Sequence, residues 1–171
     1  MIDYRLAAPH ELNDLKAFLF RHGANPWNHL PVDGVDAEFQ SVVAGDASAL
    51  VACVDDQPVG LAIFYHPHAL PEAYIAYSHG RPAIYIADVV VHQEVNGQGI
   101  GSALLLNILG RAPSLGAEML VIDRHAENLA SAGMMRKAGF QVLATFLDHD
   151  RRDSGNRSTT VLGLYLKPKC V

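Results

Sequence analysis

The sequence predicts a mixed α/β domain of the α+β class: a central, mostly antiparallel seven-stranded sheet flanked by about four helices. Three observations predict it. Two apolar runs at 48–54 and 58–65, separated by Asp55-Asp56-Gln57, read as a hairpin. A strand followed by a helix occurs over 83–110 and again over 119–138, which reads as crossover connections. Hairpins mixed with crossovers favour α+β over a doubly wound parallel sheet. With 171 residues, 50% of them apolar, the chain can bury one core and is short for two, so it is read as a single domain over 1–171 with its core at about 3–167.

In chain order, residues 2–7 form a short strand. Pro9 introduces a helix whose apolar residues Leu12, Leu15, Phe18 and Leu19 recur at helical spacing. A loop with Pro26, Trp27 and Pro31 leads to a second helix over 33–44, and the hairpin follows. Residues 66–81, with Pro67 and Pro71, read as an irregular substrate-side loop. Ala83 to Val91 is a strand, followed by a glycine loop and a helix ending near Gly110 to Pro113. Met119 to Asp123 is a strand, and Asn128 to Ala138 is a helix closed by Gly139. Phe140 to Phe146 and Thr159 to Leu166 are strands on either side of a polar run from Asp148 to Arg157.

Lys and Arg number 13 against 18 Asp and Glu, a formal charge of -5, and the basic residues are scattered. That balance argues against nucleic acid as partner and mildly favours a cationic or amine-bearing one. No apolar stretch is long enough to span a bilayer, and MIDYRLAAPHEL has neither a basic nor an apolar leader segment, so a cytoplasmic protein without membrane contact is expected. Cys53 and Cys170 imply no disulfide framework, and no His/Asp/Glu spacing resembles a metal site.

The informative stretch is Asp88 to Ser102, DVVVHQEVNGQGIGS. A strand runs into alternating glycines and then a helix, which aims unpaired N–H groups at whatever lies beyond the strand and points to a phosphate-bearing ligand. A P-loop is excluded because no lysine occurs between Lys16 and Lys137. A dinucleotide fingerprint has G-x-G-x-x-G, whereas the spacing here is G-x-G-x-G. A tight strand–helix connection without ligand remains the alternative on the glycines alone.

Two separated signatures resemble the GNAT (Gcn5-related) superfamily of acyl-coenzyme A dependent N-acetyltransferases. V-H-Q-E-V-N-G-Q-G-I-G-S at 91–102 is similar to its coenzyme loop, and N-L-A-S-A-G-M-M-R-K-A-G-F at 128–140 to its Asn-led helix ending in Gly-Phe. The resemblance implies the acyl-CoA N-acyltransferase fold and acetyl-CoA as acyl donor. It implies a pyrophosphate cradle of Asn96, Gly97, Gln98, Gly99, Ile100, Gly101 and Ser102, and pantetheine bonded to the backbone of Val89 and Val91. The backbone near Val90 would polarise the thioester carbonyl. Asn128 would reach the pantetheine or substrate region, or simply cap its helix.

The strand Y-I-A-D-V-V-V resembles the diamine acetyltransferase branch, with Ala87 where that branch has glutamate. Asp88 is the candidate general base, the alternative being a structural strand residue; alternation places it on the face of Val90. Met135 stands where many members carry an acid tyrosine and cannot donate a proton, so Tyr85, Ser131 or water is left for that role. His92, His125 and His149 read as surface or supporting residues. The run 148–153 reads as a solvated loop or as a polar lip over the amine cleft. The function implied is acetyl transfer from acetyl-CoA directly to a primary amine of a small molecule or peptide, with a non-catalytic acyl-CoA sensor as alternative and a homodimer left open.

Overall fold

The central strands are apolar on both sides, so the sheet has two faces to bury, and helices cover both. The computed structural model describes residues 1–168. Seven strands, β1 (Asp3–Leu6), β2 (Ala47–Val54), β3 (Gln57–Tyr65), β4 (Ala83–Val91), β5 (Met119–His125), β6 (Gln141–Leu147) and β7 (Ser158–Tyr165), form one sheet in the order β1-β2-β3-β4-β5-β7-β6. Every neighbouring pair is antiparallel except β4 with β5. The helices are α1 (Leu12–Gly23), α2 (Val32–Ala44), α3 (Glu72–Ser78), α4 (Ile100–Arg111) and α5 (Leu129–Ala138).

The sheet and its fold class are those expected from the sequence, but there are five helices rather than about four. The fifth, α3, lies in the 66–81 segment that the prolines made look irregular. Pro71 stands just before its first turn, where a missing N–H costs nothing, and His79 and Gly80 end it at positive φ. Seven residues are too few for a periodic signal. What holds α3 is Tyr74, buried against Tyr85, Met119 and Val121.

On one face, Leu50, Ala62, Ile84, Ile86, Leu120 and Ile122 pack against α4 and α5. On the other, Val51, Leu61, Ile63 and Val90 pack against α1 and α2. Leu104 and Ile108 of α4 are fully buried, contributing roughly 1.5–3 kcal/mol each.

The parallel pair is short. β4 pairs with β5 only from Ala83↔Met119 to Ile86↔Ile122, after which β4 follows β3 to Val91 while β5 follows β7 to His125. The separation starts where β4 bulges: Phe64 faces Ile86 and Ile63 faces Asp88, leaving Ala87 as the extra residue. A bulge bends its strand and steepens its twist, turning β4 away from β5.

Gly60 of β3 lets α4 lie close to the sheet, since a Cβ there would meet Ile100 Cγ2 at 3.0 Å and Leu104 Cδ1 at 3.1 Å. Gly60→Val should therefore lift the N-terminal turn of α4 and destabilise the fold by about 1–3 kcal/mol. Thermal melting checks this; an unchanged melting temperature would contradict the close packing described.

Candidate active site

Two clefts meet where β4 and β5 part, sharing Asn28, Val89, Asn128, Ser131 and Met134 as walls. The larger, about 550 Å³, runs from the parted strands to the glycine loop. Gly97 and Gly99 both take φ +81°, a left-handed conformation that side chains resist, and Gly99 is the N-cap of α4. No side chain caps this helix, so the first N–H groups of α4 stay available to an anion. Asn96, Gly97, Gly99, Ile100, Gly101 and Ser102 line this cleft, whereas Gln98 is exposed and does not. The Ser102 hydroxyl donates to the Met134 carbonyl at 3.1 Å, so its side chain ties α4 to α5 rather than serving the cleft.

Along the parted strand, backbone direction alternates. The His92 N–H donates to Val59 O at 2.9 Å, and in an antiparallel ladder every second residue repeats that orientation. Val90 and Asp88 therefore turn their backbone toward β3, opposite Leu61 and Ile63, while Val89 and Val91 turn theirs into the gap. This corrects the expectation for Val90: its N–H is spent on the β3 ladder, and the free donor nearest the cleft junction is that of Val89. Val90 instead packs its side chain among α1 and α2 residues. Asn128 does two things at once. Its Oδ1 accepts from the Ser131 N–H at 3.1 Å, capping α5, while the residue forms a wall of both clefts.

The smaller cleft, about 80 Å³, has Asp88, Asp123, Arg151 and Arg152 in its walls. Because of the bulge, Tyr85 and Asp88 point to the same sheet face although their numbers differ by an odd interval. Asp88 has a buried Oδ2 that accepts nothing from any N–H or hydroxyl. Burial pushes its carboxyl above the usual range, Asp123 adds to the effect, and a bond from Glu38 and the nearby Arg151 oppose it. Asp123 receives the Tyr74 hydroxyl and Arg151 Nη1 at 2.9 Å, with Arg152 Nη2 3.7 Å away.

Tyr85 lies beside this group, its ring stacked on Tyr74 at 3.9 Å and its hydroxyl 2.9 Å from that of Tyr74. Burial and Asp123 push the Tyr85 hydroxyl well above its ordinary pKa, so it holds its proton and is a poor acid. Met135 is buried in the α4–α5 core.

The polar run folds over the cleft. Arg152 Nη1 reaches Trp27 O at 3.4 Å, its Nε donates to Thr159 Oγ1 at 2.8 Å, and that hydroxyl donates to Asp148 at 2.7 Å. His125, read from the sequence as a surface or supporting residue, is buried. Its Nε2–H donates to Ser154 O at 2.8 Å and its Nδ1 accepts from the Glu127 N–H at 3.0 Å, which fixes the neutral tautomer. The Trp27 ring packs on it at 4.7 Å.

Four charged residues escaped the sequence reading. Lys137 lines the larger cleft, and its Nζ lies 3.7 Å from where a Cβ on Gly99 would stand, over the helix N-terminus. It shares a helix face with Ala130, Gly133 and Met134, a spacing that could have flagged it. Asp123 and Arg124 end an apolar strand, and ligands gather at the carboxyl ends of parallel strands. Arg124 lines the smaller cleft with Nη1 on the carbonyls of His125 and Ala126, while its buried Nε has no partner. Glu38 lies in the apolar stripe Val35, Phe39, Val42 of α2, an odd place for a carboxyl.

A sequence model described as "Acetyltransferase (GNAT) family" matches residues 11–140. The chain belongs to the GNAT acetyltransferases. Its fold recurs in a Drosophila melanogaster polyamine N-acetyltransferase that forms N-acetylagmatine, with TM-score 0.76 and 17% identity over 97% of this chain and 100% of that one. Salmonella typhimurium yncA, solved with its cofactor acetyl-CoA, has TM-score 0.73 and 20% identity over 100% and 97%. A ribosomal-protein-alanine N-acetyltransferase from Brucella melitensis has TM-score 0.71 and 21% identity over 96% and 99%. No curated protein matches in sequence. As a GNAT enzyme the chain is an N-acetyltransferase that uses acetyl-CoA. The long cleft suits that donor: bare helix N–H groups and Lys137 at one end for phosphates, free strand backbone at the other for amides.

In this GNAT chain, Gly99→Val should weaken CoA binding by roughly tenfold or more, because a branched side chain at positive φ distorts the cradle. Lys137→Ala should leave the fold intact and weaken CoA roughly 3- to 10-fold, the loss shrinking as salt rises. Calorimetric titration at two ionic strengths checks both; full affinity in a folded Gly99→Val protein would remove the glycine loop from the donor site.

Proposed function

We propose that the enzyme transfers the acetyl group directly to the primary amine of a small molecule or short peptide, with Asp88 as general base. The observation that carries this reading is the junction of the two clefts, where the free backbone of Val89 on the donor side and the Asp88 carboxyl on the acceptor side belong to adjacent residues. Acetyl-CoA supplies a thioester already activated toward amines. Val89 offers its N–H to the oxygen on which negative charge develops, an interaction of the kind that contributes several kcal/mol. Asp88 takes a proton from the amine. The lip bound to Trp27 excludes water, and the small acceptor space supports a slender amine over a folded protein surface.

Direct transfer is also supported by the thiol chemistry. Cys53 is buried beneath α1, where burial raises its pKa, and it lines neither cleft. Cys170 lies outside the described residues.

Asp88→Asn should lower kcat/KM by about 10²-fold or more with CoA affinity little changed. The sign of the pH dependence follows from burial. Asp88 must be ionised to accept a proton, and its pKa is raised, so activity should rise with pH along a limb lying above the ordinary carboxylate range. A pH–rate profile for both proteins, using thiol release from a panel of amines, checks this; an unchanged profile in the variant would reduce Asp88 to a structural residue. CoA binding without turnover on any amine would favour a sensor instead.

Met135 is 3% exposed, so Met135→Ala should cost about 2–5 kcal/mol of stability. Its kcat, measured well below the melting transition, should fall little; a large loss there would give this side chain a part in the chemistry.

A further inference from the structure

Arg124, Arg151 and Arg152 all stand in the walls of the smaller cleft, but only the last two have a counter-charge there. Asp123 lies 2.9 Å from Arg151 and 3.7 Å from Arg152, and its charge favours the ionised form of both. Arg124 is influenced by burial alone, and no carboxylate of the described residues lies within ion-pair distance of it.

A guanidinium carries its N–H donors in a planar fork. One end of the Arg124 fork is spent: Nη1 donates to the carbonyls of His125 at 3.1 Å and Ala126 at 2.7 Å, which fixes the plane of the group. The other edge, formed by Nε and Nη2, bonds to nothing among the described residues, and Nε is buried. On such an edge a carboxylate seats with two parallel hydrogen bonds. Until an acceptor arrives, a buried N–H and an unanswered charge are both costly.

Arg124 also flanks the proposed base. Ile86↔Ile122 is the last pair of β4 with β5, and Asp88 and Arg124 each follow two residues later. Alternation keeps Arg124 on the face of Ile122, toward α5, while the bulge turns Asp88 toward α1 and α2. A molecule that meets both therefore lies in the parting itself, where the cleft of about 80 Å³ has both residues in its walls. Asp88 brings a buried acceptor, Oδ2, without a donor, and Arg124 a buried donor without an acceptor. In so small a space these two unmet groups suit one compact molecule with an ammonium and an acid group a few bonds apart.

On the reading of this cleft as the amine site and Asp88 as its base, we propose that the acceptor is a free amino acid or an equally compact analogue. Arg124 is the residue that selects it, taking the carboxylate on its Nε–Nη2 edge while the amine meets Asp88. Two other classes of amine fit less well. A linear polyamine brings a second cation against the unanswered guanidinium, and a peptide N-terminus has an amide where the acid group is needed.

The test is a panel of matched acceptors, each offered as the amino acid, its carboxamide and the decarboxylated amine, with thiol release from acetyl-CoA as readout. In wild type the amino acid should exceed both partners by about 10²-fold or more in kcat/KM, chiefly through KM. Arg124→Gln should erase that preference, bringing the amino acid near the decarboxylated amine, while the rate for the latter and the affinity for CoA change little. Arg124→Lys keeps the charge without the fork and should fall between. A uniform loss over all three acceptors would make Arg124 structural, and a loss of CoA affinity would assign its guanidinium to the donor. Either result overturns the proposal, as does a wild type that favours the decarboxylated amines.

If Arg124→Gln does not fold, the wild-type panel decides alone. If no acceptor turns over, calorimetric titration of the same three into wild type with CoA decides, and equal affinities overturn the proposal. The two failures are distinguishable. Full activity toward amino acids in Asp88→Asn ends the base assignment and leaves the preference standing, whereas an inactive Asp88→Asn beside a wild type indifferent to the carboxylate ends only the role of Arg124.

Discussion

The separation of β4 from β5 beyond Ile86 is the constraint on which the site depends. A strand inside a sheet owes its neighbour a hydrogen bond at every second residue, and backbone groups left unpaired near a core are costly. Past Ile86 the β5-facing groups of β4 have no strand to meet, because β5 has turned to follow β7 as far as His125. A ligand with amides can pair with that edge as an added strand would, while a purely apolar one would leave the debt unpaid. The bulge at Ala87 sets both consequences together, opening the gap and turning Asp88 to the same sheet face as Tyr85.

The two clefts differ in what they present. The larger offers N–H groups of a helix start and the Lys137 ammonium, positive features in a chain of formal charge -5. The smaller cleft holds Asp88 and Asp123 together with Arg124, Arg151 and Arg152, and Asp123 is the carboxylate that Arg151 and Arg152 answer. These two arginines serve the lip, since Arg152 joins the 148–157 loop to Trp27 and Asp123 fixes Arg151 beside it.

How much could be read in advance depended on how local each signal is. The glycine loop is legible because its requirement, positive φ at Gly97 and Gly99, is imposed by adjacent residues. The hairpin of β2 and β3 and the core faces of the strands follow from periods of two. α3 was hidden by its shortness, being held by a tertiary contact of Tyr74. Strict alternation would set Tyr85 and Asp88 on opposite faces, and only the bulge, which no residue type announces, brings them together. Glu38 was legible in principle, as a carboxyl between Val35, Phe39 and Val42, but that its Oε2 is buried without a hydrogen-bond partner depends on the packed fold. Lys137 belongs to a motif that was recognised, yet its reach to Gly99 depends on the α4–α5 packing mediated by Met134 and Ser102.

The balance of acid and base chemistry follows from these placements. Met135 fills the position of a proton donor with a buried thioether, and the Tyr85 phenol is held protonated by burial and by Asp123. Raising a phenol's pKa makes it a worse donor to a thiolate, which weighs against Tyr85 as the acid. A thiolate is stable enough near neutral pH to leave without help, whereas an ammonium cannot attack while charged. Removing the amine's proton is the harder requirement, and on the proposed reading it falls to Asp88, whose carboxyl burial holds above the usual range. Under the proposed role of Asp88, proton transfer is governed from β4 rather than from the α5 position that the buried Met135 fills.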